Sequence, residues 1–117
     1  PLDSKGRGES QGVEYLHLPV REGRQNEPGI DRVWPEAFRF MDSILSSGKS
    51  VLVHCVAGVN RSTSTVVAYL MSKAGSDADM WRTLSDVKDK RRIVGPLPDN
   101  MAILEKYEHK LLGGVPA

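Results

Sequence analysis

The sequence predicts an α/β domain, and three observations support this prediction. Residues 13–18 alternate apolar and polar side chains, which is the period of a half-buried strand. Residues 50–54 form a short run of apolar, mostly β-branched residues between Gly48 and Gly58, as in a fully buried strand. A helical pattern precedes this run and another follows it after a short loop, which is the element order of an α/β unit.

The composition places the chain among globular proteins and excludes several functional classes. Hydrophobic residues make up 39% and charged residues 26% of 117 residues, which fits one ordered domain. The net charge of +1 lacks the basic excess of a dedicated nucleic-acid binder, so we expect no nucleic-acid partner. No apolar run approaches the roughly 20 residues of a membrane span, and residues 1–11 lack the apolar core of a signal peptide. We expect a cytoplasmic protein, with the nucleus as the alternative.

The first third of the chain predicts a loop, a strand and a second loop. Residues 1–12 are rich in Gly, Ser, Lys and Arg without periodicity, so we expect a flexible N-terminal segment. The strand over residues 13–18 ends at Pro19. Residues 19–30 contain two prolines and two glycines and predict a long loop.

A helix is predicted next, with Asp31 as its N-cap and the pair Ser47 and Gly48 at its end. Its apolar positions recur at helical spacing, at Val33, Trp34, Ala37, Phe38, Met41, Ile44 and Leu45. We assign the stripe of Trp34, Phe38 and Met41 to the core rather than to a binding surface.

After the second strand the sequence predicts a loop over residues 55–60 and three helices. The first helix runs from Arg61 to about Gly75 and is very apolar; the others cover residues 77–91 and 99–112. Two strands alone make too small a sheet for this core. Either the sheet uses segments with no strand signal, or the chain begins partway into its domain.

The loop between the second strand and the next helix can bind an anion. Six consecutive backbone N–H groups, of residues 56–61, can point inward beside the positive end of a helix. Gly58 allows a tight turn there. Arg61 adds a planar fork of donors that matches two oxygens of a phosphate.

Cys55, the only cysteine of the chain, begins this loop. A thiol has a reference pKa near 8.5, and helix N-termini and nearby cations lower that pKa into the range of roughly 3.5–7.5. Cys55 is therefore expected to be a thiolate at neutral pH. The loop that would lower its pKa would also hold a tetrahedral anion above its sulfur. One loop would then provide both the nucleophile and the oxyanion site.

The pattern H-C-x-x-G-x-x-R-S over residues 54–62 resembles the active-site loop of the cysteine-dependent protein phosphatases, and specifically their dual-specificity branch. Residues 15–20, 67–71 and 91–94 are also similar to segments of that family. The resemblance implies a phosphatase-type three-layer domain, with a mostly parallel sheet flanked by helices. It implies a catalytic domain over residues 13–112, a C-terminal tail over 113–117, and N-terminal strands missing from this chain.

The resemblance also implies hydrolysis of phosphate monoesters on phosphoprotein Ser, Thr and Tyr through a phosphocysteine, without metal or cofactor. Cys55 would be the nucleophile and Arg61 would bind the phosphate. The loop residues Val56, Ala57, Gly58, Val59 and Asn60 would also bind the phosphate, through their backbone. His54 would be a buried strand-end histidine that orients Cys55. Ser62 either caps the helix locally or assists departure of the thiolate. A phosphate-binding module with negligible turnover is the alternative function.

The general acid is the point at which the sequence departs from the family. The family places an Asp after its Y-x-x-x-P strand, and the corresponding residue here is Glu22. Asp31 is the rival candidate, and Glu27 has no positive support. Leu97 stands where the family usually has an Asn that supports the site, and Asn100 is a candidate replacement.

Overall fold

The computed structural model describes residues 7–10, 13–17, 29–54, 61–90 and 98–113. In this part of the chain, a two-stranded antiparallel sheet precedes four helices. The strands are β1 (Arg7–Ser10) and β2 (Val13–Leu16), and the helices are α1 (Trp34–Ser46), α2 (Arg61–Ala74), α3 (Met80–Lys90) and α4 (Pro98–Leu111). None of these helices is long and apolar enough to cross a membrane.

The hairpin confirms one strand and adds another. β2 lies within the predicted strand over residues 13–18, of which Leu18 is outside the described residues. β1 pairs with it in the register Arg7↔Leu16 to Ser10↔Val13, so the loop predicted for residues 7–10 is wrong. The segment Arg-Gly-Glu-Ser has no apolar alternation. Its strand is defined by pairing with β2, a signal that a local pattern does not contain.

The sheet differs from the predicted one. Among the described residues the only sheet is the antiparallel hairpin, and no parallel pairing is present there. Residues 51–54, predicted as a fully buried strand, have no regular secondary structure. Val51 and Val53 are half-buried whereas Leu52 is 83% exposed, so only one face of this segment is covered. A buried strand needs neighbours along both edges, and none of the described strands pairs with it.

α1 begins two residues later than predicted and ends where predicted. A 3-10 turn over Ile30–Val33 precedes it, held by a hydrogen bond from the Arg32 amide to the Gly29 carbonyl at 3.1 Å. Asp31 lies inside this turn and makes no capping bond, so its predicted N-cap role is wrong. At the other end Gly48 has a φ of 80°, and its amide donates to the Leu45 carbonyl in a Schellman motif.

α2 is the central helix, and it packs against α1, α3 and α4. Val67, Ala68 and Met71 on this helix are fully buried. The core around them draws on the 3-10 turn, α1, α3 and α4, through Ile30, Trp34, Ala78, Met80, Leu84 and Leu104. The predicted stripe of α1 is confirmed as core, because Trp34 and Met41 are buried and Phe38 packs against the cluster.

α3 and α4 follow the prediction with small shifts. The 3-10 turn Gly75–Asp77 delays the start of α3, and the Asp79 carboxylate then accepts a hydrogen bond from the Arg82 amide at 3.1 Å. The Glu108 carboxylate of α4 accepts the Met80 amide at 2.5 Å, which fixes α4 to the first turn of α3. Trp81 of α3 is 62% exposed.

A polar cluster of Asp42, Tyr69 and Lys73 joins α1 to α2 at the surface. The Asp42 carboxylate accepts the Tyr69 hydroxyl at 2.6 Å and pairs with the Lys73 ammonium at 2.6 Å. Hydrogen bonds from Lys73 and Tyr69 hold the pKa of Asp42 below its ordinary value, and the bond to Asp42 raises the pKa of Tyr69. The ion pair is half-exposed, so its role is to orient the two helices more than to stabilise them.

Candidate active site

The first turn of α2 carries two of the predicted site residues. Arg61 is the first residue of the helix and Ser62 the second. The predicted nucleophile Cys55, the loop residues Val56 to Asn60 and the proposed acid Glu22 lie outside the described residues.

The side chains that follow Arg61 at the start of α2 are buried all around the helix. Four consecutive hydroxyl residues after Arg61 are buried, with exposed fractions of at most 9%: Ser62, Thr63, Ser64 and Thr65. Successive helical positions differ by about 100° around the axis, so four of them cover the whole circumference. Packing around the helix keeps water from the sides of this turn, and a helix dipole and backbone donors act more strongly on an anion where water is partly excluded.

Two consecutive hydrogen bonds fix the backbone of Arg61. Its Nε atom is buried, and its carbonyl oxygen accepts the Thr65 hydroxyl at 2.9 Å. The same hydroxyl oxygen accepts the indole N–H of Trp34 at 3.3 Å. Neither Thr65 nor Trp34 was predicted to lie at the site, and Trp34 was assigned only to the core. The four-residue spacing of Arg61 and Thr65 is the one available signal, because it allows a hydroxyl to bond the carbonyl one turn back.

His54 does not have the predicted environment. It is exposed, whereas a buried strand-end histidine was expected. Leu52, two residues earlier, is also exposed, whereas Val51 and Val53 are half-buried. Its action on Cys55 stays a prediction.

Asp31, the rival general acid, is exposed on the 3-10 turn Ile30–Val33. This turn contacts α2, the helix that Arg61 begins, so Asp31 is carried by an element next to the candidate site. Asn100, the candidate replacement for the family's Asn, is buried in the first turn of α4, while Leu97 lies outside the described residues.

Known proteins resemble this chain over most of its length. A family described as "Dual specificity phosphatase, catalytic domain" matches residues 4–110. Human protein phosphatase Slingshot homolog 2 is 39% identical over 120 residues, covering 89% of this chain and 8% of that protein. Human dual specificity protein phosphatase 9 is 40% identical over 101 residues, covering 83% of this chain and 24% of that protein.

A plant relative covers a larger share of its own length. Dual specificity protein phosphatase 1B of Arabidopsis thaliana is 33% identical over 100 residues, covering 86% of this chain and 59% of that protein. The chain thus spans between 8% and 59% of these three relatives. The family implies the α/β phosphatase fold, although the described residues are mostly helical. The chain belongs to the dual-specificity phosphatase family, whose catalytic domain its residues 4–110 match.

Proposed function

We propose that this protein hydrolyses phosphate monoesters on phosphoprotein Ser, Thr and Tyr through a phosphocysteine intermediate. The observation that carries the proposal is the position of Arg61, which begins α2 beside buried hydroxyl residues. Arg61 follows the only cysteine by six residues, in a chain that belongs to this family. An arginine in a first helical turn is unfavourable against the helix dipole unless an anion binds there.

In the proposed reaction the Cys55 thiolate attacks phosphorus in line with the ester oxygen. A sulfur–phosphorus bond forms as the ester phosphorus–oxygen bond breaks. Arg61 and the backbone amides of the loop stabilise the charge on the three equatorial oxygens. A carboxylic acid, Glu22 in our assignment, protonates the leaving oxygen. Water then attacks the phosphocysteine with the same carboxylate as base, and Ser62 assists release of the thiolate.

The loop composition favours a phosphoprotein over a phosphoinositide substrate. A lipid headgroup with several phosphates needs further cations around the reacting one. Ala57 and Val59, inside the loop, are neutral.

Turnover of a small aryl phosphate tests the proposal against the binding-module alternative. The leaving group of such a substrate is good, so activity does not depend on the general acid. We expect hydrolysis by the wild-type protein, with inhibition by vanadate. Binding of vanadate without any hydrolysis would contradict the proposed activity and favour the alternative.

Glu22→Gln is expected to slow hydrolysis of alkyl phosphates at least about tenfold more than hydrolysis of aryl phosphates. The reason is that a poor leaving oxygen needs the proton and a good one does not. The ratio of kcat/KM values for the two substrates is the measurement, and Asp31→Asn is the matched control. If Asp31→Asn changes this ratio and Glu22→Gln does not, Asp31 is the acid.

The proposal includes domain organisation and compartment. We place the catalytic domain at residues 13–112 with β1 added to it, because β1 pairs with β2. We assign to it the mostly parallel three-layer architecture, which the match to the dual-specificity phosphatase family supports. A nucleophilic thiolate needs a reducing environment, so we assign the protein to the cytoplasm, with the nucleus as the alternative.

A further inference from the structure

A chain of two hydrogen bonds connects the start of α1 with the start of α2. The indole N–H of Trp34 donates to the Thr65 hydroxyl oxygen at 3.3 Å, and this hydroxyl donates to the Arg61 carbonyl at 2.9 Å. Trp34 is 2% exposed and Thr65 9% exposed, so water competes little for either bond. Both hydrogen bonds run in the same direction, from Trp34 to Thr65 and from Thr65 to Arg61. Consecutive hydrogen bonds of this kind polarise and strengthen one another.

A hydrogen bond to the Arg61 carbonyl also affects the direction of the next backbone amide. It belongs to the planar trans peptide unit that joins Arg61 to Ser62, in which the C=O and N–H groups point in opposite directions. The carbonyl points along α2 towards Thr65. The Ser62 amide therefore points out of the helix N-terminus, towards the place where an anion would bind. Fixing the carbonyl fixes this amide and the backbone from which the Arg61 side chain extends.

The indole that begins this chain is itself held firmly. Its ring stacks on Phe38 with centroids 6.1 Å apart and an interplanar angle of 13°. Tyr107 of α4 meets it edge-on at 5.1 Å and 64°. Two aromatic contacts from different helices fix the direction of the N–H group, which gives Thr65 a rigid donor.

We propose that Thr65 is a positioning residue for Arg61, and that Trp34 orients the Thr65 hydroxyl. The inference rests on the proposed function, because it assigns to Arg61 the binding of the phosphoryl oxygens. A hydroxyl that bonds a carbonyl one turn back is not a stabilising feature of a helix, and it often bends the helix. Its placement one turn after Arg61, with a buried tryptophan donor, assigns it to the geometry of the site.

Thr65→Val removes the hydroxyl and keeps the branched shape. We expect kcat on an aryl phosphate to fall about tenfold while KM changes less than about threefold, because donors displaced by a fraction of an ångström lose transition-state stabilisation first. The affinity for tungstate, an oxyanion that binds the same loop, should fall by about the same factor as kcat. Thr65→Ser, which restores the hydroxyl, should restore both values.

Two further variants complete the test. Trp34→Phe removes the N–H donor and part of the buried indole but keeps an aromatic ring beside Phe38; where thermal unfolding shows the variant folded, it should lower kcat and tungstate affinity by about threefold. Ser43→Ala is the matched control, because the exposed Ser43 hydroxyl also bonds a backbone carbonyl of its own helix, that of Phe40 in α1 at 2.8 Å. It should leave kcat and tungstate affinity unchanged.

The decisive comparison uses Arg61→Lys as the background. If Thr65 acts through the Arg61 side chain, Thr65→Val causes a smaller loss of tungstate affinity in that background, and the loss that remains belongs to the Ser62 amide. Equal losses in both backgrounds, or values for Thr65→Val that match those of Ser43→Ala, would overturn the inference. If the wild-type protein binds tungstate but has no turnover, the proposed function fails, and the tungstate affinities alone decide the role of Thr65.

Discussion

Replacing Cys55 with serine is expected to lower turnover of an aryl phosphate by at least about 10³-fold. A serine hydroxyl is a far weaker nucleophile than a thiolate, and the positive end of α2 cannot ionise it at neutral pH. In the proposed site Arg61 and backbone amides bind the oxyanion, and this substitution leaves them in place. Tungstate affinity should therefore stay within about threefold of the wild-type value.

Steady-state kinetics and calorimetric titration of tungstate into Cys55→Ser measure these two quantities. Cys55→Ala is the matched control, since it removes the nucleophile without leaving a hydroxyl. The two variants should agree in residual turnover. Activity of Cys55→Ser within about tenfold of the wild-type value would exclude Cys55 as the nucleophile.

Arg61→Lys is expected to lower kcat by about 10²-fold, the usual cost of losing one oxyanion donor. Lysine keeps the positive charge but replaces the planar fork by a single point charge, so two oxygens of the transition state can no longer be bound together. Arg61 also begins α2 beside four buried hydroxyl residues, so its donors act in a partly dehydrated environment.

Kinetics of Arg61→Lys against Arg39→Lys test this expectation. Arg39 is exposed on α1, so the same substitution there should leave kcat unchanged. If the two variants had equal kcat values, phosphate binding in the transition state could not be assigned to Arg61.

The helices were predictable from the sequence because their signals are local. Apolar residues at helical spacing and glycines with a left-handed conformation define α1 and α2, and Gly48 has the φ of 80° that the end of α1 requires. The core positions of Trp34 and Met41 followed from the same spacing.

The parts of the fold and of the site that the sequence did not predict depend on contacts between distant segments. β1 has no strand pattern of its own and is defined by β2. The apolar run at residues 51–54 indicated a buried strand, but burial needs neighbours that the local sequence does not specify, and the error for His54 has the same cause. The bond from Trp34 to Thr65 joins residues 31 positions apart, so no local pattern could indicate it.

The most direct test of the mechanism is detection of the phosphocysteine. The wild-type protein would be mixed with an aryl phosphate, quenched during the first turnovers and digested for mass spectrometry. We predict a phosphoryl group on the peptide that contains Cys55, absent from Cys55→Ser treated in the same way. Rapid hydrolysis by the wild-type protein without this adduct, together with turnover that persists in Cys55→Ser, would contradict covalent catalysis by Cys55.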